Sequence, residues 1–310
     1  MDESADDDYY TETSSFETSW PRLSSPSYSP SRPAPRWTPI LGPAQVLVFS
    51  NFLSERDTRS LVEYIQQEMK VQIDDKIDPA NPPKPRVPKP GYAFRDNDRI
   101  QLDSTEFASM IWNKCGLRDR WQELWMHPKH GLESVQGLSI TSGTRNNKRA
   151  RHAVGLSRNI RFYRYRQGQS FGAHYDESVT EDGAVSEYTV LIYLNGEGDS
   201  DLIGGETVFY PKGKKTIPTA GGASGSGSGR QPRKGVKAAG STAGTNQEGA
   251  SPSSSSSGLS YVTPNGGVAV KPGRGLLLVH KHGDDCMLHE ALLVARGFKY
   301  VLRTDVVYEP

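Results

Sequence analysis

From Ile160 to Leu302 the chain is a succession of short β-branched and aromatic runs, and this pattern limits the folds open to it. Ile160 and Phe162 alternate with Arg161 and Tyr163, the period expected of a strand. Tyr188-Thr189-Val190-Leu191-Ile192-Tyr193-Leu194 is mostly apolar and suits a buried strand. Thr207-Val208-Phe209-Tyr210, Val268-Ala269-Val270, Leu276 to Val279 and Tyr300-Val301-Leu302 continue the series. Helical signals come earlier. Val46-Leu47-Val48-Phe49 reads as a short strand, after which Ser54 with Asp57 predicts a capped helix whose buried stripe is Leu61, Val62 and Ile65. Asp103 with Glu106 predicts a second capping box, with Phe107, Met110 and Ile111 as the apolar face and Gly116 as the stop. Helices first and many short strands afterwards predict an α+β chain that is mainly β, a sandwich or jelly roll buttressed by N-terminal helices.

Two stretches cannot build a core. Residues 1–40 are rich in Ser, Pro, Asp and Thr and are expected to form a disordered tail. Residues from about 213 to 265 are Gly/Ser-rich and are expected to form a flexible insertion in the domain, which spans 41–310. A Pro- and Lys-rich loop is expected from about Asp78 to Gly91. The formal charge of +1 on 310 residues is neither the basic excess of a general nucleic-acid binder nor an acidic one. Leu276-Leu277-Leu278-Val279 is far too short to cross a membrane, and the acidic start Met1-Asp2-Glu3 is unlike a secretory signal. Cys115 and Cys286 provide no disulfide framework, so a cytoplasmic or nuclear protein is expected. The basic cluster Arg145 to Arg151 reads as a nuclear address, a phosphate patch or a solvated loop.

Chemistry is concentrated in His174-Tyr175-Asp176. On an extended strand, residues two apart project to one face, so the imidazole and the carboxylate can share a metal ion. A third ligand from the later strands would complete a two-His, one-carboxylate face with open positions opposite, the arrangement that suits ferrous iron and O2. His280, His282 and His289 are the candidates. Lys299 follows His289 by ten residues, and a buried lysine there needs a counter-charge, which a dicarboxylate chelating the metal would supply. Two rival sets share the stretch. His282-Gly283-Asp284 is another His-x-Asp, although its glycine and tandem aspartates suit a tight turn. His280, His282, Cys286 and His289 resemble a structural zinc set, although all four crowd into ten residues. Cys286 is more simply a small buried residue beside the site.

These motifs, taken in order, resemble the prolyl 4-hydroxylase branch of the 2-oxoglutarate- and Fe(II)-dependent dioxygenases. Tyr165, Gly168, Gln169, Phe171, His174 and Asp176 are similar to that family's Y-x-x-G-Q-x-[YF]-x-x-H-x-D strand. Thr189 to Leu194, Gly204-Gly205-Glu206-Thr207-Val208-Phe209 and Val268 to Gly275 resemble its later strands, and His289 and Lys299 its distal histidine and cosubstrate lysine. The resemblance implies a double-stranded β-helix with a catalytic core at about 155–308. It implies iron on His174, Asp176 and His289, and 2-oxoglutarate on Lys299 with help from Tyr165, Thr207 and Tyr193. The implied reaction couples decarboxylation of 2-oxoglutarate to succinate and CO2 with hydroxylation by O2, with ascorbate as reductant. A protein or peptide substrate, peptidyl proline included, is the first expectation; a small molecule or a non-catalytic scaffold is the alternative. Nucleic-acid demethylases of similar chemistry anchor the cosubstrate through arginine, and Lys299 disfavours that reading. Arg161, Arg164 and Arg166, with the 145–151 cluster, permit an acidic or phosphate-bearing substrate, or the three simply cover the sheet.

Overall fold

A computed structural model describes residues 20–24, 37–42, 44–77, 87–88, 93–126, 152–198, 201–211 and 258–309. The 145–151 cluster, most of the 78–91 loop and most of the Gly/Ser insertion lie outside the described residues. Along the chain come β1 (Trp37–Leu41), β2 (Val46–Phe49), α1 (Glu55–Gln72), β3 (Asp98–Asp103), α2 (Thr105–Ser109), α3 (Leu117–Met126), β4 (Ala153–Leu156), β5 (Asn159–Tyr165), β6 (Phe171–His174) and β7 (Thr180–Glu181). Then follow β8 (Ala184–Tyr193), β9 (Ile203–Gly204), β10 (Thr207–Tyr210), β11 (Ser260–Val262), β12 (Val268–Val270), β13 (Leu277–Lys281), β14 (Leu288–Ala291), β15 (Val294–Arg296) and β16 (Lys299–Tyr308).

Nine strands form one sheet in the order β1-β2-β13-β8-β16-β5-β3, with β4 paired to β16 and β7 to β8. Five more form a second sheet, β11-β12-β10-β14-β6, and β15 and β9 make a small ribbon. The central pairs β8–β16, β8–β13 and β10–β14 are antiparallel. The chain is therefore mainly β, with its helices gathered on one side. None of the described helices is long and apolar enough to cross a membrane.

Period-two alternation divides the large sheet into two faces. On one face Phe162, Val190, Ile192, Val279, Tyr300 and Leu302 pack with Leu61 and Ile65 of α1 and with Phe107 and Ile111. On the other, Tyr163, Tyr165, Tyr193, Leu278 and Val301 pack with Phe209 and Ala291 of the second sheet. Burying an aliphatic or phenyl side chain contributes about 1.5–3 kcal/mol, so both contacts hold strongly and the register is fixed from two sides. The second of these layers holds the polar cleft.

Local signals explain the helical buttress. Ser54 has extended backbone angles, and its hydroxyl accepts from the Asp57 amide at 3.1 Å, as the sequence predicts. Asp57 also accepts from the Ser24 hydroxyl at 2.7 Å, and Trp20 packs on Phe107 with ring centroids 4.4 Å apart. Residues 20–24 and Trp37–Ile40 therefore belong to the packed structure, and the expected tail boundary at residue 40 is too late. At the other stretch, Ser260–Val262 pairs with Val268–Val270, so the expected insertion ends before residue 260. Ser54→Ala is expected to cost about 1 kcal/mol through the lost cap, read as a lower urea midpoint with unchanged slope.

The second helix starts one residue later than predicted. Ser104, not Asp103, accepts from the Phe107 amide at 3.1 Å. Asp103 is still in the β3–β5 ladder opposite Asn159, and its carboxylate pairs with Arg158 at 3.0 Å. Past Ser109 the helix widens into a π-helical turn, Met110–Lys114, before Gly116 ends it at φ 77°. Arg164 and Arg166 are not free outward cations. Both reach Asp74 and Asp98, Arg164 at 2.8 Å to each and Arg166 at 2.6 and 3.0 Å. They clamp β5 to β3 and to the turn that follows α1, which removes them as substrate-binding candidates.

Candidate functional site

His174 and His289 are brought together by strand register. His174 closes β6 directly opposite His289 of β14, and their ring centroids lie 4.3 Å apart. Phe171 stacks on His174 at 3.9 Å and Phe209 on His289 at 5.5 Å, which fixes both ring planes. Asp176 follows two residues after His174 and is buried. His174 Nε2 stands 3.6 Å from Asp176 Oδ1, and His289 Nε2 stands 3.5 Å from Asp176 Oδ2. Each ring also turns its Nδ1 to the carbonyl two residues back: Gly172 for His174 and Met287 for His289, both at 2.9 Å. A carbonyl only accepts, so each bond places a ring proton on Nδ1 and makes Nε2, which faces Asp176, the nitrogen that would take a metal. Donor atoms of the three residues lie within 4.8 Å of one another. Two oriented imidazoles and one carboxylate fit a divalent first-row metal and leave the rest of its coordination sphere open.

Asp176 is the electrostatic centre. It receives Arg303 Nη2 at 3.0 Å and the Thr189 hydroxyl at 2.9 Å, with His280 Nε2 at 3.6 Å. Burial alone would favour the neutral acid, but Arg303 and His289 outweigh it and hold the carboxyl well below its usual range. Burial and the neighbouring His289 pull His174 down to about 4, leaving it a neutral ligand at pH 7. At His289, burial is outweighed by Asp176 and Cys286, which push its pKa up to about 9. A metal ion there would displace that proton.

Lys299 opens β16 on the same face as Val301 and Arg303, and is 2% exposed. Its ammonium donates to the Gly205 carbonyl at 2.6 Å and lies over the faces of Tyr165 at 4.8 Å and Tyr193 at 5.4 Å. The Gly204-Gly205 turn makes this possible. Gly205 has φ +75°, and a Cβ there would come within 3.0 Å of Lys299 Cδ. Tyr193 Oη and Thr207 Oγ1 share a hydrogen bond of 2.6 Å beside the lysine. Burial pushes the Lys299 pKa down to about 7, with Glu206 opposing. His174, Asp176, His289, Lys299, Tyr165, Thr207 and Tyr193 all line one cleft of about 420 Å³, its open mouth included.

Two contributors, Arg303 and Thr189, were not read from the sequence as parts of this site. Arg303 could have been found by counting: it lies four residues after Lys299 on one strand, hence on the same face. Thr189 pairs with Asp305 on β16 and His280 on β13, so its position beneath Asp176 follows from sheet order, which the sequence does not state. His280, a candidate third ligand from sequence, also faces Asp176, but the register places His289, not His280, opposite His174. The rival triplet separates: His282 turns to Thr189 and Ser186, both at 3.0 Å, and Gly283–Asp285 forms a 3-10 turn.

No family model and no curated protein sequence matches the chain. Among solved structures, it is similar to viral collagen prolyl hydroxylase from Paramecium Bursaria Chlorella virus-1 in its 2-oxoglutarate complex, at 14% identity and a TM-score of 0.42, over 86% of this chain and 97% of that one. A Pseudomonas putida prolyl-4-hydroxylase gives 14% identity and 0.40, over 85% and 92%. A Trichoplax adhaerens prolyl hydroxylase, in complex with a hypoxia inducible factor oxygen degradation domain peptide fragment, gives 13% and 0.38, over 85% and 83%. The functional reading rests on this chain's own residues.

Proposed function

We propose that the chain is a 2-oxoglutarate- and Fe(II)-dependent dioxygenase that hydroxylates a protein side chain, peptidyl proline being the first to test. The observation that carries this reading is the pair of Nε2 atoms that backbone carbonyls orient toward Asp176, in one cleft with a buried, carboxylate-seeking Lys299. The two sheets are then the halves of a double-stranded β-helix, with the catalytic core at about 155–308 in a domain reaching back into the first 40 residues. The choice of a protein substrate, ascorbate as reductant, and a cytoplasmic or nuclear setting rest on the motif resemblance and composition.

His174, Asp176 and His289 would hold iron, which when bound supplies activation of O2 for C–H hydroxylation. The remaining residues position and shield. Arg303 and Thr189 fix the Asp176 carboxylate. Lys299 takes the distal carboxylate of 2-oxoglutarate in a charge-assisted bond, and the Tyr193–Thr207 pair can turn a hydroxyl toward the same group. The rings of Phe171, Phe209 and Tyr165 keep water off the reacting end. The test is turnover of labelled 2-oxoglutarate by purified protein with Fe(II) and ascorbate. Succinate should form with the native chain and fail to form with His174→Ala. Equal yields from the two would sink the enzyme reading, and mass spectrometry of candidate peptides then addresses the substrate.

Cosubstrate binding should depend on pH through Lys299. The free lysine is half charged near pH 7, and a bound carboxylate favours its charged form, so above that pH binding takes up a proton. At saturating metal, affinity for 2-oxoglutarate should fall as pH rises above 7, by up to about tenfold per pH unit. Lys299→Arg, charged throughout, should flatten the slope. Calorimetry in buffers of different ionisation enthalpy measures the proton uptake directly.

A further inference from the structure

Beside the His174–Asp176–His289 group lies a second donor set, which shares His289 with it and adds two residues that the proposed chemistry does not use. Donor atoms of His280, Cys286 and His289 fall within 4.8 Å of one another, and all three residues are buried. Cys286 Sγ stands 4.0 Å from His289 Nδ1 and accepts from the Asp176 amide at 3.3 Å. A second observation is independent of that spacing. Among the described residues, His280 Nε2 is a buried polar atom without a hydrogen-bond partner, on a residue 1% exposed. A buried imidazole nitrogen is ordinarily paired, and an orphan beside a thiol and another imidazole is placed to bind a cation. The fourth residue of the zinc-like sequence pattern, His282, is engaged elsewhere by Thr189 and Ser186.

We propose that His280, Cys286 and His289 form a thiolate-containing site for a borderline-soft divalent cation of the zinc type, overlapping the candidate iron site and exclusive with it. Nitrogen and sulfur donors select such an ion over harder cations, and a remaining position can be taken by Asp176 Oδ2, 3.6 Å from His280 Nε2, or by water. Binding breaks the S–H bond of Cys286, forms a sulfur–metal bond and releases the proton to solvent. Exclusion follows from His289. A neutral imidazole has one in-plane lone pair, so this ring serves one ion at a time. Zinc held by Cys286 thus takes a ligand from the iron set and stops turnover. That inhibition rests on the proposed function; the thiolate site itself does not.

Titrating the metal-free, full-length chain with Co2+ under nitrogen tests the site without any cosubstrate. The expected result is an intense near-ultraviolet thiolate-to-cobalt band, absent in Cys286→Ser and in His280→Ala, present in His174→Ala, and bleached by Zn2+. Cys115 is the chain's other cysteine and is buried among the helices, so a band that survives Cys286→Ser overturns the proposal. Co2+ binding with no thiolate band overturns it too. X-ray absorption of the Zn2+-loaded native chain needs no variant: a sulfur scatterer at about 2.3 Å is expected, and a shell of nitrogen and oxygen alone overturns the site. A chain that shows the thiolate band but turns over no 2-oxoglutarate when loaded with Fe(II) retains this site and loses the enzyme reading.

Discussion

Asp176→Ala is expected to abolish Fe(II) binding and also to destabilise the metal-free protein by about 3–5 kcal/mol, far more than the loss of a surface carboxylate. The reason is Arg303. Its guanidinium is 3.0 Å from Asp176, its side chain is 13% exposed, and Asp305 stands further off at 3.9 Å. Deleting Asp176 strands that charge in the layer between the sheets. It also removes the acceptor of the Thr189 hydroxyl. The two effects are separable. Arg303→Met added to Asp176→Ala should restore most of the lost stability, because a thioether fills the space without a charge, while leaving metal binding lost. Urea unfolding of metal-free samples reads the first effect, and elemental analysis after Fe(II) loading the second. Turnover of 2-oxoglutarate should drop on the order of 100-fold or more. A metal-free Asp176→Ala protein as stable as the native chain would contradict the role assigned to Arg303.

Lys299→Met should move function and stability in opposite directions. Losing the charge-assisted bond should weaken 2-oxoglutarate binding on the order of 100-fold, since such a bond to a carboxylate is worth about 1.5–3 kcal/mol and more where water is excluded. The unliganded protein, by contrast, should gain on the order of 2 kcal/mol, because a buried ammonium is replaced by an apolar chain of similar length. The folded pKa of Lys299 is about 7 against an ordinary 10.5, so between these values the unfolded chain binds more protons and stability rises with pH. The destabilisation is therefore full below about pH 7 and fades toward pH 10, and the advantage of Lys299→Met should shrink over the same interval. Thermal melts at pH 6.5 and pH 9 with no cosubstrate test this; an advantage that grew with pH would refute it. Added 2-oxoglutarate should stabilise the native chain and leave Lys299→Met almost unmoved.

Much of this fold was legible because apolar strands announce themselves. Val190, Ile192, Leu277 and Val279 belong to β-branched or leucine runs that few other structures accommodate. β3 was missed because its residues, Asp98-Arg99-Ile100-Gln101-Leu102-Asp103, show only two apolar side chains between charged ends, although both are buried. α3 escaped because Gly116 reads as a stop and the chain resumes a helix at the next residue. The shift from Asp103 to Ser104 has the same origin: two good capping residues are adjacent, and the β3–β5 ladder decides between them. At the site, the seven residues named from sequence do line one cleft. Arg303 and Thr189 were not read, and His280 was not separated from His289 as the third ligand, because these roles depend on which strands are neighbours, a long-range property with no local signature. Arg164 and Arg166 show the reverse case: of the two roles open to them from sequence, substrate binding gives way because their partners, Asp74 and Asp98, come from elsewhere in the chain.

The two-faced sheet also bears on how such a chain can change over generations. On β16, Lys299, Val301 and Arg303 face the cleft, while Tyr300 and Leu302 face the helices. Inserting or deleting one residue there would exchange the two sets, placing leucine where the cation stands and arginine among the phenylalanines. Substitution at one parity leaves the other untouched. Reaction preference can therefore drift through the odd-numbered positions of this strand while the helical layer is inherited intact, and a change of length within the strand is the one alteration that both faces resist together.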